Sequence, residues 1–176
     1  DIALLNAANI RKVPQEGILT QRDVSESAPM KNNLLKTKIT QKQLVEAIKA
    51  SLQRTYSSQE GEPGLLLVSG LTYKFTDNGK LLEMNFVDKK GKKTPIDINN
   101  PSDNLTSSAV YDSFVAQQGG EYPELFPQFP TQEFNFDKDK TAVDYISKMK
   151  SGSEPLRYTM IDAWNNSIDI IKELSV

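Results

Sequence analysis

The chain has 176 residues, enough for one ordinary domain with a hydrophobic core. Its formal net charge is −2, and it contains neither histidine nor cysteine, which excludes Ser-His-Asp and Cys-His catalysis, disulfides, and thiolate or histidine-containing zinc sites. Both signs of charge are spread along the sequence, so nucleic-acid binding is not expected, and no apolar run approaches the roughly 20 residues that span a bilayer. This composition favours a binding role, or one part of an enzyme whose metals lie elsewhere.

The first predicted strand is the apolar run at residues 2–5, which stops at Asn6. No signal peptide is visible and the sequence begins abruptly in this strand, so we expect the chain to be a domain or processed fragment of a longer protein. Small and polar residues then lead to Arg11. A strand running into a compact loop that ends in a guanidinium is a common way to hold phosphate or carboxylate. On spacing alone, however, the simpler interpretation of Arg11 is a surface residue after a strand.

Threonine caps predict two helices in the first third of the chain. Thr20 begins a brief helix over residues 21–25. Thr40, with Gln43 three residues later as in a capping box, begins a longer helix that runs to about Tyr56. Apolar side chains recur every four residues along this longer helix and predict that it packs on the core: Leu44, Ile48 and Leu52.

Six further strands are predicted, three of them as a meander. Apolar runs and alternating patterns mark strands at residues 34–39, 65–68, 71–76, 81–87, 94–98 and 107–115. The sequence Asp77-Asn78-Gly79 predicts a type I′ hairpin turn, and the lysine cluster at residues 89–93 is interpreted as a solvated hairpin tip. The three strands at 71–98 therefore form a predicted β-meander.

The C-terminal third is less regular in pattern. Asp137 and Asp139 could begin a calcium loop, but the glycine and the terminal glutamate that such a loop requires are missing. Asp139 is better interpreted as the start of a helix that runs through Met149. The tail at residues 156–176 has apolar residues at helical spacing and is predicted to be a docking helix, with an oligomer contact as the alternative.

Four blocks of residues occur in an order that carries a family resemblance. They are Asp-Ile-Ala-Leu-Leu-Asn-x-x-x-Ile-Arg at 1–11; Gly-Ile-Leu-Thr at 17–20 with Pro29 and Asn32; Lys-Ile-Thr-x-x-Gln-Leu at 38–44 with Leu-Val-Ser-Gly-Leu at 67–71; and Phe-Val-Ala at 114–116 with Gly-Gly-Glu-Tyr-Pro at 119–123. Together they resemble the C-terminal domain of the 5′-nucleotidase/UDP-sugar hydrolase family, over almost the whole chain to about residue 150.

The resemblance implies a single substrate-binding domain over residues 1–176, of the α+β class, with a mixed, largely antiparallel sheet and flanking helices. In this family an N-terminal metallophosphoesterase domain holds two divalent metal ions, and the C-terminal domain binds the nucleoside and helps to hold the phosphate. It therefore implies a nucleotide or nucleoside ligand, no cofactor in this chain, and a metal domain in the same polypeptide or on a partner. Because the family is usually exported, a periplasmic, cell-surface or secreted location is implied. The chain alone is expected to be inactive.

The resemblance also implies site residues. Asn6 and Arg11 match the loop that contacts nucleoside and phosphate, and Phe114 matches an aromatic that stacks on the base. Without the resemblance, Phe114 would be assigned to the core. Met30 stands where the family has the phenylalanine of the opposite wall, which removes the rigid stacking face. The family loop is glycine-rich after the asparagine, whereas this chain has alanines and Asn9 there.

The second glycine motif is altered too. Aligning its glycines, Gly119 and Gly120, places Glu121 at the position of the family's base-recognising aspartate, whereas aligning Phe114 and Tyr122 without gaps places Gly120 there. The sequence leaves both alignments open. These departures support a second hypothesis, a non-catalytic binding or interaction domain that keeps the fold and has lost the base clamp.

Overall fold

The computed structural model describes residues 1–14, 17–57, 64–116, 132–134 and 138–149. In chain order its elements are β1 (Ile2–Asn6), a 3₁₀ turn (Ala7–Asn9), α1 (Gln21–Ser27), β2 (Leu34–Thr40), α2 (Gln41–Ser57), β3 (Leu66–Ser69), β4 (Leu71–Phe75), β5 (Leu81–Val87), β6 (Lys93–Pro95), β7 (Leu105–Asp112), α3 (Ser113–Ala116), β8 (Gln132–Phe134) and α4 (Lys138–Ile146). None of the helices in these ranges is long and apolar enough to cross a membrane.

The strands form two sheets. The larger has the order β3-β1-β7-β2-β8, and the smaller is the predicted meander β4-β5-β6. Strands β1 and β7 run parallel, with Leu4 opposite Tyr111, whereas the other pairs are antiparallel. The structure therefore confirms the α+β class with mixed, largely antiparallel strand pairing.

The core lies on both faces of the larger sheet. Ile2 and Leu4 of β1 point to the face that packs against α2, and Ala3 and Leu5 point to the face that contains side chains of α1 and α4. All five residues of β1 are buried. A strand covered on both faces is apolar throughout rather than alternating, which is the pattern of this run.

The capping box predicted for α2 is present. The Gln43 side chain accepts a hydrogen bond from the Thr40 amide (2.9 Å), and the Gln43 amide donates to the Thr40 hydroxyl (3.1 Å). The apolar stripe Leu44, Ile48 and Leu52 is completely buried. Helix α1 has the same kind of cap at Thr20 and extends two residues beyond its predicted end, to Ser27.

Two local predictions were wrong. The strand predicted at 107–115 ends at Asp112, and Phe114 lies in the helical turn α3, because the Asp112 carboxylate accepts the Phe114 amide as a helix cap does. The turn at Asp77-Asn78-Gly79 is not type I′, since only Gly79 among these residues has a positive φ. It is a tight turn in which the Gly79 amide donates to the Thr76 carbonyl, with a register shift at Lys74/Phe75.

Two further elements end earlier than predicted, and two predictions lie outside the described residues. The last meander strand is shorter than predicted, because β6 covers only Lys93–Pro95. Helix α4 begins at Lys138 and ends at Ile146, three residues before the predicted Met149. The predicted tail helix at 156–176 and the calcium-loop position Asp137 lie outside the described residues.

Two glycines with the same backbone conformation allow a matched test of packing. Gly70 (φ +76°) joins β3 to β4, and a Cβ there would lie 2.4 Å from the Asp1 carbonyl oxygen. Gly91 (φ +77°) has no atom within 4 Å of such a Cβ. Alanine at Gly91 should cost about 1–2 kcal/mol from the left-handed backbone alone. Gly70→Ala adds a clash with backbone and should cost about 3 kcal/mol or more.

Urea unfolding of the two variants measures this difference. Equal losses of unfolding free energy in Gly70→Ala and Gly91→Ala would mean that the Asp1 carbonyl oxygen does not clash with a Cβ at position 70.

Candidate functional site

Three loops meet at one edge of the larger sheet. The parallel strands β1 and β7 both end there, at Asn6 and Asp112, and the antiparallel strand β2 begins there, with Leu34 opposite Asp112. The loops after β1, after β7 and before β2 therefore lie together. Loops beyond the carboxyl ends of parallel strands are where ligands commonly bind, and the predicted site residues Arg11, Met30 and Phe114 are on these three loops.

Asn6 shapes the first loop from inside. It is 1% exposed, and its side-chain oxygen accepts a hydrogen bond from the Ala8 amide (2.8 Å), which caps the 3₁₀ turn. The Ala7 amide donates to the Leu65 carbonyl (2.8 Å). The chain thus leaves the sheet in a fixed direction, and this direction determines where Arg11 is placed.

Arg11 is held by its backbone and leaves its side chain exposed. Its amide donates to the Ser27 carbonyl at the end of α1 (2.8 Å). Within the described ranges, its guanidinium forms no ion pair or hydrogen bond. By contrast, the cations Lys12 and Arg22 both pair with Glu26. The loop therefore presents one guanidinium whose donors are available to an anion.

Phe114 and Met30 both expose apolar surface at this edge. Phe114 is 39% exposed on α3 and is not a core residue. Met30 is also 39% exposed, on the segment between α1 and β2. That segment is tied to α3, because the Ser113 amide donates to the Asn33 carbonyl (2.9 Å). The three predicted site residues Gly119, Gly120 and Glu121 lie outside the described residues.

Two further residues at this edge were missed by the sequence interpretation. Asn9 and Asp112 are 4% and 0% exposed, and the Asn9 carboxamide donates to the Asp112 carboxylate (3.2 Å). The other oxygen of Asp112 accepts the Phe114 amide (2.8 Å). An aspartate two residues before Phe114 is a recognisable capping signal. Nothing in the sequence links it to an asparagine 103 positions earlier.

Among the described residues, no metal site accompanies this edge. In the part of the chain that the structure describes, no group of three or more potential metal-ligating side chains could hold an ion. The described part of this edge offers a guanidinium and apolar surface.

Glu26 holds the Arg11 loop against α1 electrostatically. Lys12 donates a hydrogen bond to its carboxylate, and Arg22 donates another (2.6 Å). These bonds, with the two positive charges, hold the pKa of Glu26 below its ordinary value of 4.5. Because the folded pKa is lowered, the contact is complete at neutral pH and is lost as the pH falls through that lowered pKa.

Replacing Lys12 with methionine should therefore raise the pKa of Glu26 toward its ordinary value. Carboxyl-carbon NMR over a pH titration measures this shift. Lys74→Met is the matched control, because Lys74 lowers the pKa of Glu83 in the same way on a distant hairpin. It should raise the pKa of Glu83 and leave that of Glu26 unchanged. A Glu26 titration curve identical in both variants would contradict the Lys12 contact.

Comparisons with solved structures support the fold. The 5′-nucleotidase precursor from Thermus thermophilus is 24% identical with a TM-score of 0.68, over 88% of this chain and 30% of that chain. The NAD nucleotidase of Haemophilus influenzae is 19% identical with a TM-score of 0.66, over 84% and 27%. A putative 5′-nucleotidase from Staphylococcus aureus, in complex with α-ketoglutarate, is 15% identical with a TM-score of 0.58, over 84% and 30%.

The chain therefore corresponds to about 30% of the length of these structures. No curated protein matches it. Residues 1–125 match the family described as "5′-nucleotidase, C-terminal domain". In proteins that contain this domain, the metal sites lie in the separate N-terminal domain. This match covers every block on which the resemblance was based, and it includes the edge where Arg11, Met30 and Phe114 lie. The chain belongs to the 5′-nucleotidase C-terminal domain family.

Proposed function

We propose that this chain is the nucleotide- or nucleoside-binding domain of a 5′-nucleotidase-type phosphohydrolase. The observation that carries the proposal is the convergence of Arg11, Met30 and Phe114 on one edge of the larger sheet. An exposed guanidinium on the same edge as two partly exposed apolar side chains would suit a ligand that is anionic at one end and flat and apolar at the other. A nucleotide has both features.

Each side chain has a distinct role in the proposal. Phe114 stacks on one face of the base, and Met30 packs on the other face as a flexible replacement for a ring. Arg11 donates charge-assisted hydrogen bonds to the phosphate. Asn6 acts through the loop that it caps. Gly119, Gly120 and Glu121 are assigned to the base edge on the strength of the family pattern.

Hydrolysis belongs to another domain in this proposal. The chain has no histidine or cysteine, and its described residues provide no metal site, so two divalent metals would be held by an N-terminal metallophosphoesterase domain. That domain would be in the same polypeptide or on a partner chain. Residues 1–176 form one substrate-binding domain, with the tail at 156–176 as a docking helix. A periplasmic, cell-surface or secreted location follows from the family.

The alternative is a non-catalytic binding or interaction domain. Two observations favour it: Met30 provides no rigid stacking face, and the loop after β1 carries the methyl groups of Ala7 and Ala8 where a ligand could otherwise approach the backbone. The two functions are separated by whether the chain binds nucleosides at all.

Ligand binding should depend on Phe114 and Arg11 in different ways. Phe114→Ala should weaken the binding of both adenosine and AMP by about 1–3 kcal/mol, the usual value of stacking on one base. Arg11→Ala should leave adenosine unaffected and remove the additional affinity for AMP, about 1.5–3 kcal/mol for a charge-assisted hydrogen bond. Isothermal titration calorimetry measures both effects.

Arg22→Ala is the control for Arg11→Ala. It removes the same charge from a neighbouring, exposed position on α1 and should leave the affinity for AMP unchanged. Equal losses in Arg11→Ala and Arg22→Ala would mean that only general charge attracts the phosphate. Absence of heat with either ligand in the unaltered chain would reject the proposed function and support the interaction domain.

The chain alone should not catalyse phosphate release. The purified chain should release no phosphate from AMP or p-nitrophenyl phosphate above the buffer rate, with or without added Mn²⁺, because its described residues offer no metal site. A colorimetric phosphate assay measures this. A rate that follows the protein through purification and disappears in Arg11→Ala would overturn the assignment of hydrolysis to another domain.

A further inference from the structure

We propose that Asp112 is a positioning residue that holds the Arg11 loop and the Phe114 turn in one fixed geometry. Its side chain is completely buried. One carboxylate oxygen accepts the Phe114 amide (2.8 Å), and the other accepts the Asn9 carboxamide (3.2 Å). A single carboxylate thus joins the Phe114 turn to the loop of Asn9, which is 103 residues from Asp112 in sequence. This inference rests on the proposed function, in which these segments carry the phosphate contact and the base contact.

The contact to Phe114 fixes the direction of α3. Asp112 is the last residue of β7, and Ser113 begins the helical turn. The cap stops the strand and turns the chain, so the Phe114 ring lies at the sheet edge with 39% of its surface exposed. Without the carboxylate, the four-residue helix has no side-chain cap at this amide, and the ring loses its fixed position.

The contact to Asn9 fixes the loop after β1. Asn9 ends the 3₁₀ turn and is two residues from Arg11. It is 4% exposed, so its carboxamide is not a surface contact with a ligand. Beyond it, the Arg11 amide is held by the Ser27 carbonyl (2.8 Å). The loop is therefore anchored twice, to β7 through the Asn9 side chain and to α1 through the Arg11 amide.

The two contacts predict different losses. Asn9→Ala frees only the Arg11 loop, so it should weaken AMP binding about tenfold, the effect of one lost hydrogen bond to a charged group, while adenosine binding stays within about twofold of the original chain. Asp112→Ala frees both segments and should weaken both ligands about tenfold or more. A change in the ratio of AMP affinity to adenosine affinity is not expected from general destabilisation.

Asp112→Asn tests whether position or charge matters. Its side-chain oxygen can still accept the Phe114 amide, and its NH₂ group can donate to Asn9 once the Asn9 amide is turned. Binding of both ligands should remain within about threefold of the original chain, since neutral hydrogen bonds are only moderately weaker. A loss as large as that of Asp112→Ala would overturn the positioning role in favour of the charge.

Thr40→Ala is the control for stability. Thr40 caps α2 at the opposite end of β2 from the site, so this variant should unfold more easily and bind AMP and adenosine as before. If Asn9→Ala changes the two affinities no more than Thr40→Ala does, Asp112 has only a structural role and the proposal fails. Asn9→Ala keeps the test valid if Asp112→Ala does not fold.

A measurement without ligand separates this inference from the proposed function. Amide hydrogen exchange at Arg11 should accelerate about tenfold or more in Asn9→Ala and Asp112→Ala, relative to Thr40→Ala, because the loop opens locally when its link is removed. Unchanged exchange at Arg11 would overturn the link whether or not nucleotides bind. If the original chain binds neither adenosine nor AMP, the proposed function fails, and the exchange rates of the Arg11 amide and of the Phe114 amide then decide whether Asp112 holds the two segments.

Discussion

The parallel pairing of β1 with β7 is the constraint on which the rest of the structure depends. Leu4 lies opposite Tyr111 at the centre of the larger sheet, although the two strands are far apart in sequence. Closing so long a connection costs conformational entropy, and the complete burial of both strand centres offsets that cost. The same pairing directs both strands to end at one edge, which is why the Arg11 loop and the Phe114 turn meet.

The edge combines rigidity with exposed functional groups. Its buried polar residues are used within the protein: Asn6 caps the 3₁₀ turn, and Asn9 and Asp112 bind each other. Its exposed groups include the guanidinium of Arg11 and the apolar side chains of Met30 and Phe114. Buried polar groups with satisfied hydrogen bonds specify one geometry, so the backbone that carries these exposed side chains is held in one conformation.

Two residues that differ from the pattern implied by the resemblance, Asn9 and Met30, lie at this edge. Asn9 is two residues before Arg11, and its side chain is buried and donates a hydrogen bond to Asp112. A glycine there could not make that contact. Compared with the pattern that the resemblance implies, the loop has a side-chain link in place of glycine, and Met30 is a flexible thioether in place of a rigid ring.

Local signals in the sequence determined much of the fold. The apolar run of β1, the capping boxes of α1 and α2, the stripe from Leu44 to Leu52 and the meander all depend on contacts between residues close in the chain, so their patterns can be recognised directly. The ordered blocks around Asn6, Arg11 and Phe114 also determined the family. Boundaries were less certain: the end of β7 was missed because the Asp112 cap competes with continued strand pairing, and the Gly79 turn depends on register as well as on residue type.

Only the tertiary structure decided how the site is assembled. The sequence identified Arg11, Met30 and Phe114 separately, but their common edge depends on β1 and β7 being parallel neighbours and on β2 running against β7. The sequence also could not show that the Phe114 side chain is exposed rather than in the core, or that the Asn9 side chain donates a hydrogen bond to Asp112. These properties arise from contacts between distant segments, and no local pattern of spacing or polarity records which distant segments will meet.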